Sequence, residues 1–381
     1  MARKTNRVKF EVFGKEMVAE EQYYLGDHTL PTAQSKFEWS EEMVEAYERC
    51  KTDIIFFAEN FFTIISAGKR IRIPLRDYQK KFLNDAMNHK RILALQARQS
   101  GKSTLMTVYA LWLANFFPDQ AIIICAHKGD VARMLFDRIR TAYKELPNWL
   151  KEPCTEWNKS SMRLGNGSSI VTTNTTAEGP RGNSLSCLIL DEFAFVAPEI
   201  AKQFWTSVTP TLTNNPNARM FVSSTPNGIG NMFHTLYERA ESGKNNFVIQ
   251  KVIWSDVPGR DEEWKKRTIV DDCLGDEEMF AQEYECKFLG ASNSPFPQAT
   301  FDKISKDISV PILRDMDGYL QIWKLPENDR VYTMGVDVSE GVGLDASVVQ
   351  VLDITDLREI EQVACYANNR IDPTAFTEIV E

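Results

Sequence analysis

Cysteine is sparse in this 381-residue chain and follows no pairing pattern. Its seven cysteines, at 50, 125, 154, 187, 273, 286 and 365, are odd in number and never form Cys-x-x-Cys. That excludes a disulfide framework. Their placement in apolar runs such as Ile122–Cys125 predicts reduced, intracellular residues, mostly in the core. Histidine is rarer still, with four scattered residues at 28, 89, 127 and 234, so no zinc-ligand spacing exists. Long apolar runs are missing as well, because the longest, Ile54 to Ala67, is broken by Glu59-Asn60. The basic start Met1–Lys4 meets no apolar stretch before Glu11, so neither a signal peptide nor a membrane span is expected. An excess of positive charge is the last absence. There are 44 Lys+Arg against 53 Asp+Glu, a net charge of −9, which excludes a simple nucleic-acid coat and confines any DNA contact to a local patch.

What is present is an ordinary globular composition, 43% hydrophobic and 25% charged, in a chain long enough for about two to three domains. Residues 1–39 are polar, with a short strand predicted at Val8–Phe13. Ser40 reads as an N-cap, and the apolar spacing through Ile54, Phe57 and Phe61 predicts one buried helix. Lys69–Leu75 reads as extended, and Arg76-Asp77-Tyr78-Gln79 opens a helix to about Asn88.

Short apolar runs then alternate with helical patterns. Strands are predicted at Ile92–Leu95, Ala121–Ala126, Cys187–Leu190 and Met220–Ser224, and helices at Ser103–Phe117, Gly129–Glu145 and Pro198–Val208. This order argues for a doubly wound, mostly parallel sheet. An antiparallel interruption, Met162–Leu164 and Ser169–Thr172, flanks the turn Gly165-Asn166-Gly167. Residues 70–230 thus read as one α/β nucleotide-binding core. Beyond Gly230 the pattern turns more helical, through Met232–Glu241 and Asp276–Lys287. A turn-rich linker follows at Gly290–Pro297, and the strands Val331–Val336 and Ser347–Leu352 open a second domain.

The strongest chemical signal is Gln96-Ala97-Arg98-Gln99-Ser100-Gly101-Lys102-Ser103-Thr104, placed between a strand and a helix. A phosphate cradle needs converging N–H groups at a helix N-terminus, a lysine for the β- and γ-phosphates, and a hydroxyl for Mg²⁺. Gly101, Lys102 and Ser103 supply these in order, although Gln96 replaces the first glycine of the usual motif, and an ordinary strand–helix turn can carry the same tripeptide. The second signal is Leu188–Leu190 ending in Asp191-Glu192. One carboxylate can support a metal while the next polarises an attacking water, the division of labour that nucleotide hydrolysis needs. Ser223-Ser224-Thr225, at the end of a third strand, could sense the γ-phosphate, though a plain Ser/Thr turn explains it equally well.

Together the loop 97–103, Asp191-Glu192, Ser223–Thr225, Arg76–Gln79 and the segment Trp254–Phe288 resemble the large terminase subunit of tailed bacteriophages, of the T-even-like myovirus type, over residues 40 to 380. The resemblance implies an α/β P-loop NTPase of ASCE/RecA-like type, residues 40–295. Its core is about 70–230, with a small helical subdomain from 40–69 plus 231–295. An incomplete RNase H-like nuclease domain, 296–381, follows. It implies ATP and Mg²⁺ as cofactors, with Ser103 and Asp191 on the metal and Glu192 and Lys102 as catalytic residues. Tyr78 and Gln79 become an adenine-binding pair, although Tyr78 could simply be core. Arg98 becomes a cation acting in cis and Arg181 a finger acting in trans, where a surface ion pair or a DNA-phosphate contact are the competing accounts.

In the second domain the resemblance makes Asp337 the first carboxylate of a two-metal nuclease site, with Asp345 assisting. The remaining acidic ligands are not among these residues, so no metal-dependent cleavage is expected from this chain. The implied function is ATP-driven packaging of double-stranded DNA. The implied partners are a portal protein and a small terminase subunit, with the chain in a homo-oligomeric ring on the capsid. No membrane is involved, and the location is the host cytoplasm rather than the mature virion. Local basic groups, Lys69-Arg70-Arg72-Arg76, Lys80-Lys81, Lys90-Arg91 and Lys265–Arg267, are the candidates for DNA contact. The rival readings are a catalytically silent DNA- or capsid-binding module and a superfamily 2 helicase, which would need a second RecA-like domain.

Overall fold

The computed structural model describes residues 7–12, 15–20, 22–177, 185–290, 300, 304, 308–343 and 345–381. The chain separates into two units, Met1–Ser294 and Pro295–Glu381.

In the first unit a hairpin of β1 (Arg7–Val12) and β2 (Lys15–Glu20) precedes helices α1 (Glu41–Thr52) and α2 (Ile54–Phe61). A second hairpin, β3 (Thr63–Ser66) and β4 (Lys69–Arg72), leads to α3 (Asp77–Asn88). Then come β5 (Arg91–Gln96), α4 (Lys102–Phe116), β6 (Ala121–Ala126), α5 (Gly129–Glu145), β7 (Cys154–Trp157), β8 (Ser161–Leu164) and β9 (Ser169–Asn174). They are followed by β10 (Cys187–Asp191), α6 (Pro198–Thr213), β11 (Arg219–Ser224), α7 (Met232–Glu241), β12 (Val248–Val252), α8 (Glu262–Asp271) and α9 (Glu277–Glu283).

The sheet runs β12-β5-β11-β10-β6-β9-β8-β7, parallel from β12 to β9 and antiparallel beyond. Side chains on a strand alternate between faces, and this alternation divides the core. Ile92 and Ala94 of β5, with Ile189 of β10, face the layer of α3, α4 and α5. Leu93, Leu95 and Leu190 face that of α6 and α7. The middle of α4 is apolar all round and nearly every residue from Leu105 to Phe116 is buried, as expected of a helix with neighbours on several sides. Central parallel strands lead their C-terminal ends to one edge of the sheet, where the loops carry the polar signals of the sequence.

Two expectations are corrected. The single helix from Ser40 to Phe61 is two helices. Ser40 accepts from the Met43 amide as expected, but Asp53 is extended and its carboxylate accepts from the Phe56 amide, starting α2 afresh. Residues 231–295 are not wholly helical, because β12 extends the parallel sheet, with Val252 in register with Gln96. Its five residues are too short for a clear period of their own, and pairing with β5 fixes their conformation. The helices of residues 40–61 share the main core, where the Trp112 indole donates to the Cys50 carbonyl at 2.8 Å. Among the described residues no helix is long and apolar enough to cross a membrane.

The second unit is a sheet of order β13-β14-β17-β16-β15, all of whose pairs are antiparallel, built from β13 (Leu313–Asp315), β14 (Leu320–Ile322), β15 (Tyr332–Asp337), β16 (Ser347–Asp353) and β17 (Glu361–Asn368). Helix α10 (Pro373–Val380) buries Phe376 against Val349 and Tyr366. β13, β14 and β17 had no counterpart in the sequence reading.

Candidate nucleotide-binding site

The site lies where β5, β10 and β11 end beside the N-terminus of α4. Gly101 caps that helix with φ +93, a left-handed conformation suited to glycine, and a Cβ there would stand 2.5 Å from Gln79 Nε2. Gln99 is also left-handed, at φ +58, and so is Glu192, at φ +52. Such non-glycine residues are uncommon and cluster where neighbours over-determine the backbone.

The loop is anchored from α3. Tyr78 Oη donates to the Ser100 carbonyl at 2.7 Å and Gln79 Nε2 to the same oxygen at 3.0 Å. Gln79 Oε1 in turn accepts from the Arg76 amide at 3.0 Å, capping α3, and Arg76 Nη1 donates to Tyr78 Oη at 2.8 Å. Gln96 accepts from Ser100 Oγ at 3.2 Å, so the residue that departs from the usual motif holds the loop through its side chain.

The acidic pair meets the cradle directly. Ser103 Oγ donates to Asp191 Oδ2 at 2.8 Å, and Ser223 Oγ donates to Asp191 Oδ1 at 2.5 Å. Lys102 Nζ lies 2.9 Å from Glu192 Oε1. Ser224 Oγ and the Thr225 amide donate to Glu192 Oε2 at 3.3 and 3.4 Å. Burial, and after it the neighbouring Glu192 carboxylate, raise the Asp191 carboxyl above the usual aspartate value, against the pull of Lys102, Ser223 and Ser103. Ser103 and Asp191 are hard oxygen donors. Mg²⁺ usually takes one or two such groups and completes its shell with water and substrate phosphates, so this pair fits it without a protein cage.

Arg98 is mostly exposed. Its amide donates to the Glu283 carbonyl at 2.9 Å and its guanidinium lies 3.7 Å from the Glu283 carboxylate, while Arg260 Nη2 donates to its carbonyl at 3.1 Å. Thr104 stands apart, lining a cavity of about 380 Å³ with Phe62, Ile64 and Met134. Arg181 lies outside the described residues. Glu283 and Arg260 escaped the sequence reading because no local motif connects them to a loop more than 160 residues earlier.

Most of the basic groups considered for DNA contact have partners within the chain. Arg70 pairs with Glu145 at 2.7 Å, Lys80 with Glu59 at 2.9 Å, Lys81 with Asp85 at 3.2 Å and Lys265 with Glu285 at 2.7 Å. Arg72 reaches the Phe61 carbonyl and Thr63 Oγ1, Arg76 reaches Tyr78, and Lys90 reaches the Pro216 carbonyl.

In the second unit Asp337 ends β15, and Asp345 follows the turn at Gly341 and Gly343. Both line a cavity of about 550 Å³ together with Ser339, Glu340 and Pro373. Among the described residues no group of three or more His, Cys, Asp or Glu side chains is gathered closely enough to hold a metal ion.

A parallel sheet with a cradle after one strand and an acidic pair after another, the two separated by the single strand β11, is a P-loop NTPase fold. This chain belongs to the large terminase subunits of T4-like-virus type, whose N-terminal family model, "Terminase large subunit, T4likevirus-type, N-terminal", matches residues 93–303. It is 26% identical over 297 residues to the large terminase subunit of Thermus virus P23-45, covering 70% of this chain and 58% of that relative. The corresponding subunit of Thermus phage G20c is 25% identical over the same length. The chain thus spans little more than half the length of these relatives. In fold it is similar to the crystal structure of the HK97 bacteriophage large terminase, with a TM-score of 0.56 at 16% identity, over 82% of this chain and 67% of that one.

Proposed function

We propose that this chain is the ATP-hydrolysing part of a motor that drives double-stranded viral DNA into a capsid. The observation that carries this reading is the pairing of both cradle residues with both acidic residues, Lys102 with Glu192 and Ser103 with Asp191.

ATP binds with its phosphates toward the α4 amides. Lys102 leaves Glu192 for the β- and γ-phosphate oxygens, and the freed carboxylate takes a proton from the attacking water. Ser103 and Asp191 hold Mg²⁺, which when bound offsets phosphate charge. Arg98 stabilises charge on the γ-phosphate in cis, and Arg181 acts on the ATP of a neighbouring subunit. Ser224 and Thr225 already touch Glu192, so they relay its displacement through the segment that leads from β11 to α7. The partners in this reading are DNA, a portal protein, a small terminase subunit and further copies of the chain in a ring, in the host cytoplasm.

The test is ATP turnover with and without double-stranded DNA. The reading expects turnover that DNA stimulates and that Glu192→Gln removes. Nucleotide binding without turnover in the unmutated chain would favour a silent binding module instead.

A further inference from the structure

Arg260 sits in the turn between β12 and α8 and reaches back across 162 residues of sequence to the cradle, where its Nη2 donates to the Arg98 carbonyl at 3.1 Å. Its guanidinium lies 4.6 Å over the Trp264 ring and 5.8 Å from that of Tyr284, a site that stabilises a cation without a counter-ion. The other terminal nitrogen, Nη1, is buried and has no acceptor among the described residues. Burial holds this arginine below the usual guanidinium value, against the opposing influence of Tyr284 and Tyr78, and the like charge of Arg76 adds to the lowering. A buried donor left without an acceptor is costly, and its persistence here points to an acceptor that arrives from outside.

The loop carbonyls indicate what arrives. Phosphates are drawn to the amides that open α4 and to Lys102, beyond Gly101. The carbonyls of Arg98 and Ser100 are acceptors that repel anions, and both are held by donors, one by Arg260 and the other by Tyr78 and Gln79. The Arg260–Tyr78 side of the loop therefore suits the uncharged nucleoside half of a nucleotide, which offers base and ribose acceptors.

We propose that Arg260 is a nucleotide-positioning residue whose Nη1 donates to a base or ribose acceptor of the bound nucleotide while Nη2 holds the Arg98 carbonyl. Occupancy of the cradle is thereby felt by the segment of α8 and α9. The proposal rests on the reading of the cradle as an ATP site.

The test is calorimetric titration of the full chain with ADP and, separately, with inorganic tripolyphosphate, for the parent, Arg260→Met and Arg260→Lys, each with a thermal melt. Arg260→Met keeps an unbranched side chain and removes the guanidinium donors. It is expected to weaken ADP about tenfold and to leave tripolyphosphate within about twofold. Arg260→Lys keeps the cation over the rings and, with a single reaching donor, is expected to fall between the two. Unchanged ADP affinity in both variants overturns the proposal. Equal weakening of ADP and tripolyphosphate also overturns it, since Arg260 then only shapes the loop. A parent that binds neither ligand overturns the reading of the cradle and this proposal with it, whereas failure of Arg260 alone leaves ADP binding intact in the parent.

Discussion

Lys102 and Glu192 form an ion pair of 2.9 Å at the mouth of the cradle, with the lysine side chain almost fully buried. In the proposed reading Lys102 is the cation for phosphate and Glu192 the base for water, and the pair as it stands ties each to the other until an anion competes for the lysine. Glu192→Gln removes the base and keeps the shape. Turnover measured by phosphate release is expected to fall by about 10²–10⁴-fold, with ADP affinity changed little. Turnover near the parental rate would remove Glu192 from the mechanism.

Asp191 leads to an expectation about stability. Its carboxyl value is raised in the folded chain, so the folded state binds the proton more tightly than the unfolded one. Ionisation therefore costs stability, beginning as pH rises past the ordinary value of 3.8 and reaching its full extent above the raised value. Asp191→Asn is expected to raise the nucleotide-free melting temperature at pH 7, by roughly 2–4 °C for each kcal/mol relieved. The same variant is expected to lose the extra stabilisation given by Mg²⁺ with ATP. Differential scanning calorimetry with and without both ligands checks the two halves, and a lower melting temperature in the free variant would contradict the first.

Gly101→Ala places a Cβ 2.5 Å from Gln79 Nε2 at φ +93. The left-handed backbone alone costs about 1–2 kcal/mol for a residue with a side chain. ADP affinity is expected to drop about tenfold or more, and Gln79→Ala in the same chain should recover only part of it, since truncation relieves the contact and not the backbone. Full recovery in the double variant would show that the contact alone matters.

Asp27 ties the segment before α1 to α5 through Lys144 at 2.7 Å. Burial opposes its charge, but hydrogen bonds from Lys144 and Thr29 outweigh that and bring the carboxyl down to about 2. A depressed carboxylate stabilises the fold above its ordinary value of 3.8, and the contribution is lost as pH falls toward 2. Asp27→Asn is therefore expected to flatten the loss of stability between those values, as read by urea unfolding at several pH values. An unaltered slope would show that the pair contributes nothing.

The second unit is expected to cut no DNA in Mg²⁺ or Mn²⁺, because Asp337, Glu340 and Asp345 line one cavity without being gathered, among the described residues, closely enough to hold a metal ion. A nicking assay on supercoiled plasmid tests this, and cleavage that disappears in Asp337→Ala would overturn it.

Much of the site was legible from local pattern. The apolar strands end where the polar signals begin, and the sequence placed the cradle, the acidic pair and the serine triplet at the ends of three strands. What it could not give is that these strands are neighbours, in the order β5-β11-β10, which brings Ser103, Ser223 and Asp191 within hydrogen-bond reach. The break at Asp53 was readable in principle, since an Asp with an apolar helical run after it is an N-cap signal, but the unbroken apolar spacing masked it.

The α/β alternation of the core, the N-cap at Ser40 and the glycine demanded by the cradle came from the sequence alone, because they depend on dihedral preference and on groups a few residues apart. Tertiary structure alone decided that β12 completes the sheet and that Glu283 and Arg260 grip the loop at Arg98. It also decided that Gln96 anchors a loop from the position where glycine usually stands. Those contacts join residues far apart in the chain or replace one residue's usual role with another's, and packing selects them where no local preference can.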